Sequence, residues 1–298
     1  MRKKSSYYTQ GIRRKIIAFA FHNGVINNKR QIKLVKELVS QINYPVQTKF
    51  SDHYVAFDYI DEKYIESLRF ENDIAVAEND GESNPLTPAI YALHCYNVGK
   101  NDAFKLQIDY LLSLKKEMGD QCYWQYEMDV IRFILPAPWS SGISQGVIAS
   151  AMLRMYQETK EEKYLEIAKG AITYCLNNNN NLKTDQQAGF WIEEYPSEKG
   201  KGVLNGFLFF MIALAEFSSL GYFKEEFEEG LKGLLSKIPM YHKGSYIRYA
   251  SNIPDLCNPW YDKIHYHQLN AMYALTKENV FLKLKEYWTN TSLTNFKT

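Results

Sequence analysis

The sequence predicts a mainly α-helical fold: an α/α barrel of about four helix pairs, with short β-hairpins at one mouth and a small mixed N-terminal segment. Three observations predict it. Strongly apolar helical stretches begin near residues 88, 141, 205 and 265, a spacing of roughly 55 to 65 residues, which is a repeat signal. Each is followed after a short turn by a more charged, amphipathic stretch, at 103–118, 162–176, 225–238 and 280–288. Aromatic-rich segments with extended character lie between the pairs. An inner ring of helices buried nearly all round and an outer ring with one apolar stripe would produce this alternation.

Residues 1–80 read as an α+β lead-in, with a helix near 31–41 and an alternating stretch at 54–59 that predicts a strand. The cluster Asn79-Asp-Gly-Glu-Ser-Asn-Pro85 breaks both periods, so the barrel domain is expected over 81–298. In the third amphipathic stretch Leu231, Leu234, Leu235 and Ile238 fall at helical spacing while Lys and Glu take the other face. The asparagine run at 177–181 predicts a surface loop. The intervening segments at 122–126, 189–195 and 244–249 predict short strands at one mouth. That would gather Trp124, Trp191, Glu194, Tyr195, Tyr249 and Tyr261 around a common cleft.

Composition narrows the function classes. The chain of 298 residues has 35 basic and 34 acidic side chains, so it has no global field to attract nucleic acid or an anionic membrane, and an anionic ligand must be caught locally. The 23 tyrosines suit packed cores and sugar-stacking clefts alike. Cys95, Cys122, Cys175 and Cys257 are far apart and form no Cys-x-x-Cys pair, which predicts neither a disulfide framework nor a zinc site. The apolar run at 16–21 after Arg13-Arg-Lys is too short for a signal peptide core, and no run approaches the roughly 20 apolar residues of a membrane span. A cytoplasmic protein is expected.

The chemistry concentrates in residues 189–206, where Trp191, the adjacent Glu193 and Glu194, and Tyr195 precede a Gly/Lys turn and the apolar helix opened by Leu204-Asn-Gly206. Adjacent residues of an extended chain face opposite ways, so one glutamate enters the cleft, and Glu194 is the choice. Asp262, His265 and His267 have the residue types of a metal site, but positions two apart on a helix diverge and nothing elsewhere completes a set. No metal and no cofactor is expected. Gly200, Gly202 and Gly206 miss the dinucleotide-loop spacing, and no Gly-x-Ser-x-Gly elbow is present.

Four motifs in order carry a resemblance: Trp139-Ser-x-x-Ile-Ser-Gln145-Gly, Trp191-Ile-Glu-Glu-Tyr-Pro with Leu204-Asn-Gly-Phe, Ser245-Tyr-Ile-Arg-Tyr249, and Tyr261-x-x-x-His265-x-x-Gln-Leu. Together, over about 84–290, the chain resembles the C-terminal catalytic domain of the D-glucuronyl C5-epimerases, which invert C5 of glucuronic acid within a polysaccharide. The resemblance implies catalytic roles for Glu194, Tyr195, Tyr249 and Tyr261, and substrate contacts from Trp139, Gln145, Trp191, Asn205, Arg248 and His265. It implies a uronic-acid-containing, heparan-sulfate-like glycan as partner, with no nucleic acid and no membrane span; a homodimer is left open. Two departures stand out. Only about 80 residues precede the domain, where animal members carry large β-rich segments, and Ala250-Ser-Asn252 replaces their Asp-Leu-Arg.

Epimerisation removes the C5 proton and returns one to the other face, so two acid/base groups must flank the ring while cations or strong donors neutralise the ene-diolate. His265, Lys201 and Arg248 are the candidate cations, Arg248 ranking below His265 because alternation aims it away from Tyr249. A tyrosine acting as base would need its pKa lowered by positive charge, and Glu194 would need its own raised, by burial against Trp191 and Phe190, to donate a proton. Two rivals remain open. A polysaccharide lyase would let the same carbanion expel the C4 substituent, and a non-catalytic glycan-binding protein would use the same cleft.

Overall fold

The computed structural model describes residues 29–50, 65, 68–77, 84–177, 180–197, 200–243, 246–252, 257 and 259–291. The expected strand at 54–59 and all but the last two residues of the 79–85 breaker lie outside the described residues. Among those described the fold is mainly helical with small antiparallel hairpins.

Helix α1 spans Lys29–Val39, and the hairpin of β1 (Arg69–Glu71) and β2 (Ile74–Val76) follows. Its two turn residues, Asn72 and Asp73, both take positive φ, the conformation that matches the right-handed twist of the flanking strands. Four helix pairs come next. They are α2 (Leu86–Asn97) with α3 (Asn101–Leu114), α4 (Gly142–Thr159) with α5 (Glu162–Leu176), α6 (Leu204–Ser219) with α7 (Lys224–Tyr241), and α8 (Pro259–Thr276) with α9 (Asn279–Thr291). Each first member packs on its partner and on the next first member: α2 on α4, α4 on α6, α6 on α8.

Burial explains the division of labour. In α6 every residue from Leu204 to Ser218 is buried, whereas α7 buries a stripe through Phe227, Leu231, Leu234, Leu235 and Ile238. Close approach of α4 and α6 depends on Gly146, where a Cβ would lie 2.9 Å from the Phe210 Cα. Deeper along the same helices, fully buried Arg154 meets Glu216 through two parallel hydrogen bonds, Nη1 to Oε2 at 2.7 Å and Nη2 to Oε1 at 2.5 Å.

Hairpins join the pairs: β3 (Lys116–Met118) with β4 (Gln121–Tyr123), β5 (Lys183–Asp185) with β6 (Phe190–Ile192), and β7 (His242–Lys243) with β8 (Tyr246–Ile247). Two boundaries differ most from expectation. Helix α3 stops at Leu114, four residues short, because 116–118 pair with β4 around the left-handed Gly119. Helix α8 starts at Pro259, six residues early; proline suits a first helical position because its missing N–H is one of the unsatisfied donors there. Tyr261 therefore sits in the first turn of a helix and not in a preceding loop.

The first-member helices α4, α6 and α8 begin at one end of the molecule. The lead-in closes the other: Lys49 N–H donates to the Leu275 carbonyl at 2.8 Å, Thr48 meets Ser218 at 3.1 Å, and the Arg154 guanidinium lies 4.9 Å over the Phe50 ring. No helix of the described residues is long and apolar enough to cross a membrane.

Candidate active site

Strand β6 ends at Ile192, and the next three residues bend across the start of α4. The Gly142 N–H donates to the Glu193 carbonyl at 3.1 Å, and the Ser141 hydroxyl to the Glu194 carbonyl at 2.5 Å. Held by both carbonyls, the two adjacent carboxylates diverge. Glu193 is fully buried, and its Oε2 accepts the N–H groups of Lys201 at 2.9 Å and Gly202 at 2.8 Å, pinning the 200–203 turn. Burial raises its pKa, and those backbone donors counter the rise.

Glu194 turns toward the start of α6. The Asn205 amide donates to Oε2 at 3.3 Å, Tyr249 donates to Oε1 at 3.4 Å, and the Tyr195 hydroxyl is a third donor. A Cβ on Gly206 would stand 2.7 Å from Oε2, so only glycine leaves room for this carboxylate. Burial pushes the Glu194 pKa up to about 7, with the three donors acting in the opposite direction. Its cover is Asn205, Gly206 and the tyrosines, not the Trp191 and Phe190 anticipated from sequence.

Tyr249 and Tyr261 pack with ring centroids 4.6 Å apart and hydroxyls within hydrogen-bonding reach of each other. Burial raises the pKa of Tyr195 and Tyr249, with the Glu194 charge adding to it, and pushes Tyr261 up to about 12, with the Tyr249 hydrogen bond and, more weakly, the Arg132 charge acting the other way. A resting tyrosinate is therefore disfavoured. The sequence reading asked for a tyrosine lowered toward neutrality; burial produces the reverse, and the group poised near neutral pH is the glutamate.

An arm over residues 126–139 overhangs this cluster, and sequence reasoning missed it. Its base is the bridge between Tyr126 and Trp139, whose rings stack at 4.2 Å; its middle is a bridge from Val130 to Leu135; its tip is the 3-10 turn Ile131–Phe133. The Tyr195 ring has its centroid 4.4 Å from that of Phe133 and 5.6 Å from that of Trp139. Pro136 and Pro138 interrupt any helical or alternating period here, so the segment carries no periodic signal. The available signal was Arg132-Phe133 between two isoleucines, Ile131 at 89% exposure and Ile134 at 91%, that no core absorbs.

The structure thus brings together Glu194, Tyr195, Tyr249, Tyr261, Asn205 and Trp139. The other sequence candidates stand behind the cleft. Trp191 is fully buried on Phe207 at 4.2 Å, with the Lys237 ammonium 4.6 Å from its ring, so its face is not available to a sugar. Gln145 is fully buried and clamps Trp124, accepting its N–H and donating to its carbonyl at 3.0 Å each; Trp124, also expected at the cleft, is sealed beneath it. Arg248 turns away from Glu194 and donates to the Ser251 carbonyl at 3.0 Å. His265 is fully buried, its Nδ1 3.6 Å from Cys257 Sγ and its ring 5.6 Å from Trp288. Among the described residues no group of three or more His, Cys, Asp or Glu side chains is placed to hold a metal ion.

Comparison with known proteins gives three findings. The family model described as the D-glucuronyl C5-epimerase C-terminus matches residues 116–290. A D-glucuronyl C5-epimerase of Caenorhabditis elegans is 26% identical over 213 residues, 62% of this chain and 34% of that protein; an uncharacterised protein of Methanocaldococcus jannaschii is 26% identical over 181 residues, 55% of this chain and 56% of that one. The chain thus spans about a third to about half of the length of these relatives. Among solved structures, a D-mannose isomerase superposes with a TM-score of 0.49 at 13% identity, covering 89% of this chain and 86% of that one.

Proposed function

The chain belongs to the family represented by the D-glucuronyl C5-epimerase C-terminus, and from that premise we propose that it inverts C5 of a uronic acid unit within a glycan, using Glu194 and the tyrosines around it. The observation that carries this reading is a buried carboxylate with a pKa of about 7 in reach of tyrosine hydroxyls held neutral. Near neutral pH such a glutamate is divided between base and acid, the condition that favours proton transfer in either direction.

In the forward sense the C5–H bond breaks, its proton passes to ionised Glu194, and the electron pair enters the substrate carboxylate as an ene-diolate. The Tyr261 O–H then breaks and delivers its proton to C5 from the opposite face. Proton transfer from Glu194 to the Tyr261 oxygen through the Tyr249 hydroxyl restores both groups, so the cycle closes without net gain or loss of protons. Tyr195 and Asn205 hold the carboxylate, and Trp139 backs Tyr195. We read the four helix pairs as an α/α toroid, supported by the serial packing of α2, α4, α6 and α8. We assign 81–298 as the catalytic unit and 1–80 as a lead-in, supported by a family match lying wholly inside the former.

Incubation with glucuronate-containing oligosaccharides in deuterated water tests the reaction. Deuterium at C5 without chain cleavage is the expected result, and Glu194→Gln should lower the rate at least about 100-fold, the scale of a lost general acid/base. New absorbance from an unsaturated uronate would assign a lyase, and binding without exchange would assign a glycan-binding protein; either outcome would overturn the proposal.

A further inference from the structure

Removing the C5 proton places charge on the substrate carboxylate, and the rate depends on positive groups already aimed at it. Two of the three cations expected from sequence to do this, Arg248 and His265, are buried away from the cleft. Lys237 lies on Trp191, behind the same wall. The third, Lys201, is at the cleft, and the overhanging arm supplies a second cation that the sequence reading did not consider. Arg132 stands 5.3 Å from the Phe133 ring centroid and Lys201 stands 5.7 Å from the same centroid, while that ring covers Tyr195 beside Glu194.

We propose that Arg132 and Lys201, gathered on Phe133, form a clamp that binds the carboxylate of the uronic acid at the mouth of the cleft. This rests on the uronate reading above and adds the residues that select the acid over a neutral sugar. Both cations are held from the backbone outward. Lys201 is fixed because its own N–H is bonded to buried Glu193, which gives the non-catalytic glutamate a positioning role. Arg132 is fixed by the 3-10 turn, closed on one side by the Val130–Leu135 bridge and on the other by Asp129, whose Oδ1 accepts the Ala137 N–H at 2.8 Å. The turn ends on Ile134 at φ 52, a left-handed conformation that costs a β-branched residue energy and is tolerated where the surroundings demand it. Ile131, Arg132 and Ile134 are exposed, so the residue the turn presses inward is Phe133, and the two cations gather around its ring from the solvent side.

The charge also reaches the reacting groups. Arg132 is the positive neighbour that opposes the rise of the Tyr261 pKa. A carboxylate bridging Arg132 and Lys201 would sit above Tyr195, next to the Glu194–Tyr249–Tyr261 set, so that C5, bonded to that carboxylate, faces them.

The test compares wild type, Arg132→Gln, Lys201→Gln, the double variant and Arg132→Lys. Each is titrated calorimetrically with a glucuronate-containing oligosaccharide and with its carboxyl-reduced counterpart, and C5 deuterium exchange is followed on the former. Wild type should prefer the uronate by at least about tenfold, the scale of a charge-assisted hydrogen bond. The double variant should lose that preference and raise KM for exchange at least about tenfold, leave binding of the reduced oligosaccharide unchanged, and melt as wild type does; Arg132→Lys should recover part of the preference. If wild type exchanges deuterium but the variants keep the full preference for the acid, the clamp is overturned and the epimerase reading stands. If wild type binds neither oligosaccharide and exchanges nothing, both fall together.

Discussion

At the scale of single residues, the decisive contrast is between two neighbouring glutamates given opposite tasks. Glu193 is satisfied by backbone N–H groups and holds a turn; Glu194 is buried among side-chain donors that share protons. Its raised pKa makes a stability prediction with a definite sign. A carboxyl with a pKa of about 7 folded and about 4.5 unfolded binds more protons in the native state between those values, so its contribution to stability is whole below about pH 4.5 and is lost as pH rises through 7. Glu194→Gln carries no such titration. Its stability relative to wild type should therefore shift in the variant's favour by on the order of 3 kcal/mol between pH 5 and pH 8, whatever constant offset the changed hydrogen bonds add. Denaturant titrations of both proteins across that range measure it. A difference independent of pH would mean that Glu194 is ionised as an ordinary surface glutamate is, and would remove it as the neutral-pH acid/base.

At the scale of elements, the site is made by where helices begin. The start of α4 holds the carbonyls of Glu193 and Glu194, the start of α6 supplies Asn205 and the space at Gly206, and the first turn of α8 supplies Tyr261. Gly206→Ala should separate helix formation from positioning. Alanine is the better helix former by about 1 kcal/mol, but its Cβ would stand 2.7 Å from Glu194 Oε2 and 2.8 Å from Glu194 Cβ, so the carboxylate must move. Exchange at C5 should fall at least about tenfold while the helical circular dichroism signal is kept, since small misplacements of catalytic groups are costly. Unchanged exchange would show that the position of Glu194 is not held by this contact. The starts of α2, α4 and α6 were legible in the sequence because apolar runs follow turn residues there, whereas that of α8 was not, since Pro259 to Ile264 mix polar and apolar residues; the four alternating pairs were legible because burial on all sides and burial on one stripe leave different residue patterns. What was not legible was depth. Trp124, Trp191, Gln145 and His265 carry the same residue types whether they line a cleft or stand one layer behind it, and periodicity reports a face, not a distance from water. The arm at 126–139 escaped notice for a different reason: its tip is held by the Phe133 ring packed at a tilt against Tyr195, a contact made across about sixty residues of chain, and it has no period of its own.

At the scale of the whole molecule, the two ends of the parallel helices divide chemistry from cohesion. At one end α4 and α6 frame Glu194; at the other they are joined by Arg154 and Glu216, at 0% and 1% side-chain exposure, with Ser150 Oγ also donating to Glu216 at 2.8 Å and Phe50 of the lead-in lying against the guanidinium. A buried pair of this kind gains little over a well-packed apolar pair, yet breaking it is costly because one charge is left without its partner in a poor solvent. Arg154→Met should accordingly cost about 3–5 kcal/mol and lower Tm by roughly 10 °C, whereas Arg154→Met with Glu216→Leu should recover most of that loss. Deuterium exchange per folded molecule, measured well below the melting temperature of each variant, should stay near wild type in both, because Glu194 is held by contacts at the starts of α4 and α6 and by Tyr195 and Tyr249, and by none at Arg154. A single variant that melts normally but exchanges slowly would contradict this division: it would mean that the ion pair sets the spacing of α4 and α6 along their whole length, and that the geometry around Glu194 is transmitted from the far end of the helices instead of being fixed locally at their start.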